Sequence, residues 1–241
     1  MSSIISKDKD PLGSALLSYI DGSKQAVIRV NSDKAGDEEL PVSHLFRSYQ
    51  NMPDIEKIAL SECTGCVLDI GAGAGSHSLF LQEKGLSAQA IDISPGAIET
   101  MSQRGIKDVQ LENFYALRES SFDTLLLLMN GIGITGTIER LRTFLQRSKV
   151  FLNESGQILM DSCDVKYLYE ESDGSMRMEL DKYYGELTYQ MSFESILGDP
   201  FAWLYIDYHS LQKIAAEEGF VSELLYTNRD YQYLARLTLK T

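Results

Sequence analysis

The sequence predicts an α/β fold: a doubly wound, mostly parallel seven-stranded sheet with a C-terminal antiparallel hairpin and an inserted β flap. Apolar runs alternate with helical patterns along the middle of the chain, as they do in parallel sheets. The runs cover 66–70, 88–93, 109–111, 122–129 and 157–161, and the helical patterns lie near 76–84, 95–104 and 137–149. Two further strand patterns, 220–227 and 231–239, are joined by a short polar connection, which predicts the hairpin.

The fourth apolar run indicates that helices cover both faces of the sheet. Between Thr124 and Met129 apolar residues occupy both alternating positions, whereas a strand with one face in water would alternate with polar residues. In open sheets of this kind, ligands bind beyond the carboxyl ends of the strands. Polar residues follow four of the predicted strands at that edge: Asp69, Asp92, Asn113 and Asn130.

The first predicted strand leads into a glycine-rich turn. Gly71, Gly73 and Gly75 stand at alternate positions, and a helical pattern follows them. Glycines let the backbone bend tightly and let a ligand approach main-chain N–H groups. The dinucleotide fingerprint G-x-G-x-x-G is not met, because Ser76 takes the place of its third glycine. The alternative hypothesis of a nicotinamide-dependent oxidoreductase therefore rests on the glycine spacing alone.

This strand and turn resemble motif I of the class I, Rossmann-like S-adenosylmethionine-dependent methyltransferases, in which a strand ends in an acid followed by G-x-G-x-G. The resemblance implies S-adenosylmethionine as the cofactor. It also implies that Asp69 helps to hold the amino group of the cofactor. The loop that passes under the methionine moiety comprises Gly71, Ala72, Gly73 and Gly75.

Three later strand ends extend the resemblance. Asp92, followed by Ile93, matches the family acid that accepts hydrogen bonds from the ribose hydroxyls. Asn113 and Phe114 match the positions that contact the adenine, although the family usually has Asp where Asn113 stands. An amide oxygen can accept from the adenine amino group as well. The family's fourth motif ends beside the methyl group of the cofactor, at the positions of Met129 and Asn130.

We expect one methyltransferase-like domain over residues 1–241. It divides into an N-terminal cap (1–45), a core (46–162 and 209–241) and an inserted antiparallel flap (163–208). In related methyltransferases, the stretch that opens the core folds over the cofactor. Arg47 would then meet the methionine carboxylate and Tyr49 would face the sulfonium. The alternative is a surface arginine and a packed tyrosine.

The predicted flap is rich in aromatic residues. Leu187, Tyr189, Met191 and Phe193 alternate with polar residues, as in a half-buried strand, and residues 203–208 predict the return strand. An insertion after the fifth strand of a methyltransferase lies near the methyl acceptor, so this flap favours a small, partly apolar acceptor. Equally, the aromatic residues would pack the flap onto the core or onto a second subunit of a homodimer.

Two residues are candidate general bases, which the reaction needs only when the acceptor carries a proton. His209 opens the last predicted helix, and Asp164 follows the fifth strand. We expect no metal ion. Metal-dependent members of the group place an aspartate after the fourth strand, where this chain has Asn130 and Gly131, and hard cations need carboxylate oxygens.

Composition narrows the choice of partners. The formal net charge of −13, without a basic cluster, argues against nucleic acid and anionic membranes. No secretory signal or transmembrane pattern is present, which predicts a cytoplasmic protein. The leading hypothesis is a methyltransferase that acts on a small molecule by in-line methyl transfer. The alternative is a catalytically inactive S-adenosylmethionine-binding protein with a regulatory or scaffold role, since no residue is plainly a base.

Overall fold

The computed structural model describes residues 4–118, 120–171, 173, 175 and 182–240. The helices are α1 (Pro11–Ile20), α2 (Asp54–Glu62), α3 (Ser76–Glu83), α4 (Pro95–Gln103), α5 (Ile138–Phe151) and α6 (Tyr208–Glu217). The strands are β1 (Val27–Ser32), β2 (Gly36–Pro41), β3 (Cys66–Ile70), β4 (Ser87–Asp92), β5 (Asp108–Leu111), β6 (Phe122–Leu127), β7 (Leu152–Cys163), β8 (Glu186–Phe193), β9 (Ile196–Leu197), β10 (Phe201–Leu204), β11 (Phe220–Thr227) and β12 (Gln232–Leu239). Among these elements, no helix is both long and apolar enough to cross a membrane.

Seven strands form the core sheet, in the order β11-β12-β7-β6-β3-β4-β5. Strands β3 to β7 are parallel to one another. Strand β12 lies between β7 and β11 and is antiparallel to both. The predicted fold class is therefore confirmed, including the C-terminal hairpin. Because the five parallel strands run in one direction, their carboxyl ends share one edge of the sheet.

Burial of both faces holds the central strand β6 in place. Leu125 and Leu127 pack into the cluster that contains Phe144 of α5, while Leu126 packs into the opposite cluster with Leu60 of α2. Strand side chains alternate between faces, so consecutive leucines serve two helical layers. Each such burial contributes roughly 1.5–3 kcal/mol. This explains the continuous apolar run in the sequence.

A second sheet joins the predicted cap to the predicted flap. Its strands are antiparallel and follow the order β10-β8-β1-β2, with β9 paired to β8. Strand β1 of the cap pairs directly with β8 of the insertion, with Val30 opposite Met191. The two regions, which the sequence separates, are therefore one structural unit. Residues 172, 174 and 176–181 of the predicted flap lie outside the described residues.

Two boundaries of the second sheet differ from the sequence prediction. The return strand β10 ends at Leu204 rather than at residue 208, because Asp207 caps α6 by accepting the Ser210 N–H at 3.0 Å. Strand β2 was not predicted, since Gly36–Pro41 is acidic and mostly exposed and lacks an apolar alternation. Its pairing with β1 is what makes it a strand.

Asp10 fastens the cap to the core at the first turn of α4. One of its carboxylate oxygens accepts the Gly13 N–H at 2.8 Å and so caps α1. The other accepts the Ser94 hydroxyl at 2.7 Å and the Gly96 N–H at 3.1 Å. Helices α1 and α4 touch through glycine, because a Cβ on Gly96 would lie 2.4 Å from the Gly13 Cα. The cap is therefore in direct contact with the end of β4.

We expect Gly96→Ala to lower the free energy of unfolding by about 1–3 kcal/mol, because the new Cβ meets backbone that cannot turn aside. Urea unfolding monitored by circular dichroism would measure the change. Gln103→Ala, at the exposed end of α4, is the control and should change stability by less than about 0.5 kcal/mol. Equal stability of the two variants would contradict the close helix contact.

Candidate active site

A cleft of about 870 Å³ lies between the carboxyl edge of the core sheet and the second sheet. The core contributes the ends of β3, β4 and β6 and the loops that follow them, and the cap and the flap contribute the opposite side. Pockets for small molecules usually measure roughly 300–1,000 Å³ and combine apolar walls with a few polar groups. The cleft has the size and the position expected of a ligand site in this fold.

The glycine turn after β3 forms the floor of the cleft. Gly71, Ala72 and Gly73 line it, and Gly71 and Gly73 have φ values of +74° and +57°. A Cβ on Gly73 would meet no atom within 4 Å and would occupy open space. Gly75 does not line the cleft. A Cβ there would lie 2.2 Å from Ile106, so Gly75 serves the packing of the turn against its neighbours.

Asp92 is a buried carboxylate at the end of β4 that lines the cleft. One oxygen accepts the Gly73 N–H and the other the Ser94 N–H, each at 2.9 Å. Burial raises the pKa of Asp92 to about 6, and the neighbouring Asp10 adds to the rise. Each carboxylate oxygen can accept more than one hydrogen bond, so both can still accept from a ligand. Ile93 lines the cleft beside it.

Asp69, at the end of β3, is also buried and lines the cleft. Its carboxylate accepts the Ser78 hydroxyl at 2.6 Å, which ties β3 to α3. Burial raises the pKa of Asp69, while the nearby His77 and the Ser78 hydrogen bond oppose the rise. A cationic ligand group beside this carboxylate would stabilise its charged form.

A buried ionic cluster formed by Arg47, Glu56 and His77 lies next to Asp69. Glu56 binds the Arg47 guanidinium with one carboxylate oxygen and contacts His77 Nε2 at 2.8 Å with the other. Burial alone would raise the pKa of Glu56, but His77 and Arg47 together hold it below its usual value. Burial disfavours charge on His77 too, yet Glu56 and Asp69 raise its pKa overall.

One guanidinium nitrogen of Arg47 has no hydrogen-bond partner among the described residues. Its Nη1 donates to the His44 carbonyl at 2.6 Å, but its buried Nε has no hydrogen-bond partner among the residues described. Arg47 and Glu56 both line the cleft. The sequence analysis predicts Arg47 as a site residue but does not predict its neighbours Glu56 and His77. The contacts of these two residues depend on how α2 packs against α3.

Asn113, Phe114 and Met129 line the cleft as well. The Asn113 side chain accepts the Tyr115 N–H at 2.9 Å, and Phe114 is buried in the core cluster. Asn130 is not among the lining residues. Its amide donates to the Leu204 carbonyl at 3.2 Å and accepts the Ser162 hydroxyl at 2.8 Å. Asn130 therefore anchors the flap to the end of β6.

Three more predicted site residues, in addition to Gly75 and Asn130, lie outside the lining of the cleft. The Tyr49 ring stacks on Phe80 with 4.0 Å between centroids, as the packed-tyrosine alternative proposed. His209 is exposed on α6, and Asp164 accepts the Tyr184 hydroxyl at 2.8 Å. The structure does not bring either candidate base to the cleft. It places there His44, whose pKa is lowered by partial desolvation and by Arg47, a shift that favours the neutral imidazole.

Comparisons with known proteins agree with this geometry. A family model described as a methyltransferase domain matches residues 68–160. The chain is also similar to the crystal structure of an S-adenosylmethionine-dependent methyltransferase from Bacteroides fragilis in complex with S-adenosyl-L-homocysteine. The identity is 44%, 99% of this chain and 98% of that chain are covered, and the TM-score is 0.93. The chain belongs to the S-adenosylmethionine-dependent methyltransferases.

Other solved methyltransferases share the fold alone. The CcbJ methyltransferase from Streptomyces caelestis is 14% identical, with 80% of this chain and 95% of that chain covered and a TM-score of 0.59. An amino pentose methyltransferase from Micromonospora echinaspora, solved with S-adenosylmethionine, is 12% identical, with 80% and 94% covered and a TM-score of 0.52. A search of the curated proteins finds no match.

S-adenosylmethionine is the cofactor of this methyltransferase, and the cleft fits it chemically. The cofactor carries an ammonium, a carboxylate and a ribose with two hydroxyls. The cleft offers the buried carboxylates of Asp69 and Asp92, the unpaired Nε of Arg47 and open space above Gly73. No group of three or more His, Cys, Asp or Glu side chains placed to hold a metal ion occurs in the described part of the chain.

Glu56→Gln should lower the pKa of His77, because the hydrogen-bonded negative charge that favours the imidazolium is lost while burial remains. The chain has three histidines, so proton NMR can follow each titration separately. Asp54→Asn makes the same acid-to-amide change at an exposed position of α2 and should leave His77 unaffected. An unchanged midpoint in Glu56→Gln would contradict the role of Glu56.

Asp92→Asn should change how stability of the cofactor-free protein depends on pH. Because the folded pKa is raised to about 6 from 3.8, the native wild type binds the proton more readily than the unfolded chain. Wild-type stability therefore falls, relative to the variant, as pH rises from about 4 to about 7, by roughly 2–3 kcal/mol. Urea unfolding of both proteins across that range measures the difference. A pH-independent difference would show that Asp92 titrates normally.

Proposed function

We propose that this methyltransferase transfers the methyl group to a small, partly apolar molecule. One observation carries the proposal: the cleft that contains the glycine turn and Asp92 continues to the aromatic residues Phe201 and Trp203 of β10. The residues proposed to bind the cofactor and these aromatic side chains therefore line one continuous cleft. The volume of about 870 Å³ leaves room for a compact acceptor beside the cofactor.

In this proposal the polar groups of the cleft orient the cofactor. Asp92 accepts the ribose hydroxyls, and Asp69 attracts the ammonium. The open space above Gly73 admits the methionine moiety. Asn113 and Phe114 contact the adenine. The support for these roles is the burial of each group and its place in the lining.

Arg47 binds the methionine carboxylate in this proposal. A buried guanidinium nitrogen without a partner is costly, and a carboxylate is the ligand that matches its charge and geometry. Glu56 and the His44 carbonyl already fix the remaining part of the guanidinium. The side chain is therefore held ready before the cofactor arrives.

The cofactor supplies a methyl group that its sulfonium has already activated. The protein contributes orientation of the two reactants and exclusion of water, which can supply up to about 7–11 kcal/mol in favourable cases. Residues of the flap close the cleft opposite the glycine turn. Where the acceptor carries a proton, His44 is a candidate base in the lining, because its lowered pKa favours the neutral imidazole.

The acidic surface supports the remaining parts of the proposal. A net charge of −13 disfavours nucleic acid as a partner, in line with a small-molecule acceptor. A cytoplasmic location fits the same composition. A homodimer stays a prediction, and a dependence of apparent mass on concentration in sedimentation would support it.

Gly73→Ala tests the cofactor site, with Gly85→Ala as its matched control. Both glycines have a positive φ, +57° and +83°, and a Cβ on either meets no atom within 4 Å. Each variant should lose about 1–2 kcal/mol of stability from backbone strain. Only Gly73 lines the cleft, so Gly73→Ala alone should weaken S-adenosylmethionine binding, by roughly tenfold or more, in calorimetry.

Equal cofactor affinity in these two variants would remove the glycine turn from the site. Transfer of labelled methyl groups from S-adenosylmethionine to a metabolite extract tests turnover of the wild type. Stabilisation by both S-adenosylmethionine and S-adenosyl-L-homocysteine without any labelled product would favour the inactive regulatory protein instead.

A further inference from the structure

Strand β10 packs closely against the turn that follows β6, and two glycines of that turn make the close contact possible. A Cβ on Gly133 would lie 2.2 Å from the Trp203 indole, and a Cβ on Gly136 would lie 2.9 Å from the Ala202 Cβ. The hydrogen bond from Asn130 to the Leu204 carbonyl adds a third anchor. The indole therefore lies directly against the backbone of Gly133, and its position in the cleft is fixed.

Trp203 belongs to an apolar wall, which we define as Leu40, Ile134, Met191, Phe201, Ala202 and Trp203, all lining the cleft. The Phe201 and Trp203 rings meet edge to face, with 5.9 Å between centroids. Asp199, the charged residue that the described flap contributes to the lining, is paired with Lys9 at 3.2 Å, and both side chains are solvent-exposed. The wall itself carries no charge.

We infer that the apolar wall binds a planar, uncharged ring of the methyl acceptor, and that Trp203 is the specificity-determining residue. This inference rests on the proposed function. Flat apolar rings gain most from the faces and edges of fixed aromatic side chains, because no conformational freedom of the wall is lost on binding. The acceptor is accordingly an aromatic or heteroaromatic compound with its nucleophilic atom directed toward the end of β6.

The small number of hydrogen-bonding side-chain groups on the apolar wall favours such a ring over a sugar. Among the described residues, no hydrogen bond uses the indole N–H of Trp203, which leaves one donor on the wall for an acceptor group. A saccharide would bring several hydroxyls against Leu, Ile, Met and Phe side chains. Hydroxyls buried without partners lower affinity, so the wall selects against polyols.

Fluorine NMR tests the inference directly, because Trp203 is the chain's one tryptophan. Protein labelled with fluorotryptophan and saturated with S-adenosyl-L-homocysteine should show one resonance. We expect 2-naphthol to shift this resonance in a saturable way and methyl glucoside to leave it unchanged. A shift with methyl glucoside, or none with naphthol, would overturn the inference.

Two variants identify the wall as the binding surface. Gly133→Ala should displace the indole, and Trp203→Ala should remove it, so either variant should bind naphthol about tenfold more weakly or worse in calorimetry. Both should bind S-adenosyl-L-homocysteine with wild-type affinity. Tyr231→Ala deletes an exposed ring that does not line the cleft and should change neither affinity.

The outcomes separate this inference from the proposed function. Wild-type protein that binds S-adenosyl-L-homocysteine, together with unchanged naphthol affinity in Trp203→Ala, would overturn the inference and leave the cofactor site intact. Failure of the wild type to bind S-adenosyl-L-homocysteine would overturn the proposed function itself, and the inference with it.

Discussion

The pairing of β1 with β8 is the interaction on which the cleft depends. Either strand alone would expose a row of backbone donors and acceptors, and paired they form the centre of the second sheet. The pairing brings Leu40 from the cap and Met191 from the insertion to one side of the same cleft. The core sheet supplies Asp69, Asp92 and the glycine turn on one side of the cleft, but the opposite side exists only because two distant segments of the chain pair with each other.

Local patterns were sufficient to predict the core. Strand β3 has the predicted bounds, and helices α3 and α4 end within one residue of theirs, because each shows a clear hydrophobic period. The local sequence pattern did not predict elements whose existence or bounds depend on long-range contacts. Strand β2 is acidic and becomes a strand through its partner, and β10 ends at Leu204 because the cap at Asp207 starts α6 earlier than the apolar pattern suggested.

The same distinction between local pattern and long-range contacts applies to the residues of the candidate site. Asp69 and Asp92 lie at the ends of their strands and the glycine turn follows β3 directly, so the strand pattern alone predicts that they share one edge of the sheet. Nothing in the sequence distinguishes Glu56 from a surface acid of a helix, yet its side chain on α2 is buried and forms an ion pair with Arg47. Burial makes the ionised form of the carboxylates at this edge energetically unfavourable. A neighbouring cation, or hydrogen bonds from hydroxyl groups, would make the ionised form favourable. Such groups are typical of functional sites.

The long span between β1 and β8 bears on the order in which the chain is made. Strand β1 leaves the ribosome early, but its partner follows only after the five parallel strands of the core sheet have emerged. Until then the cap can form its own short hairpin with β2 and little more. Translation therefore supplies the parallel strands that carry the glycine turn and Asp92 before the second sheet can form opposite them.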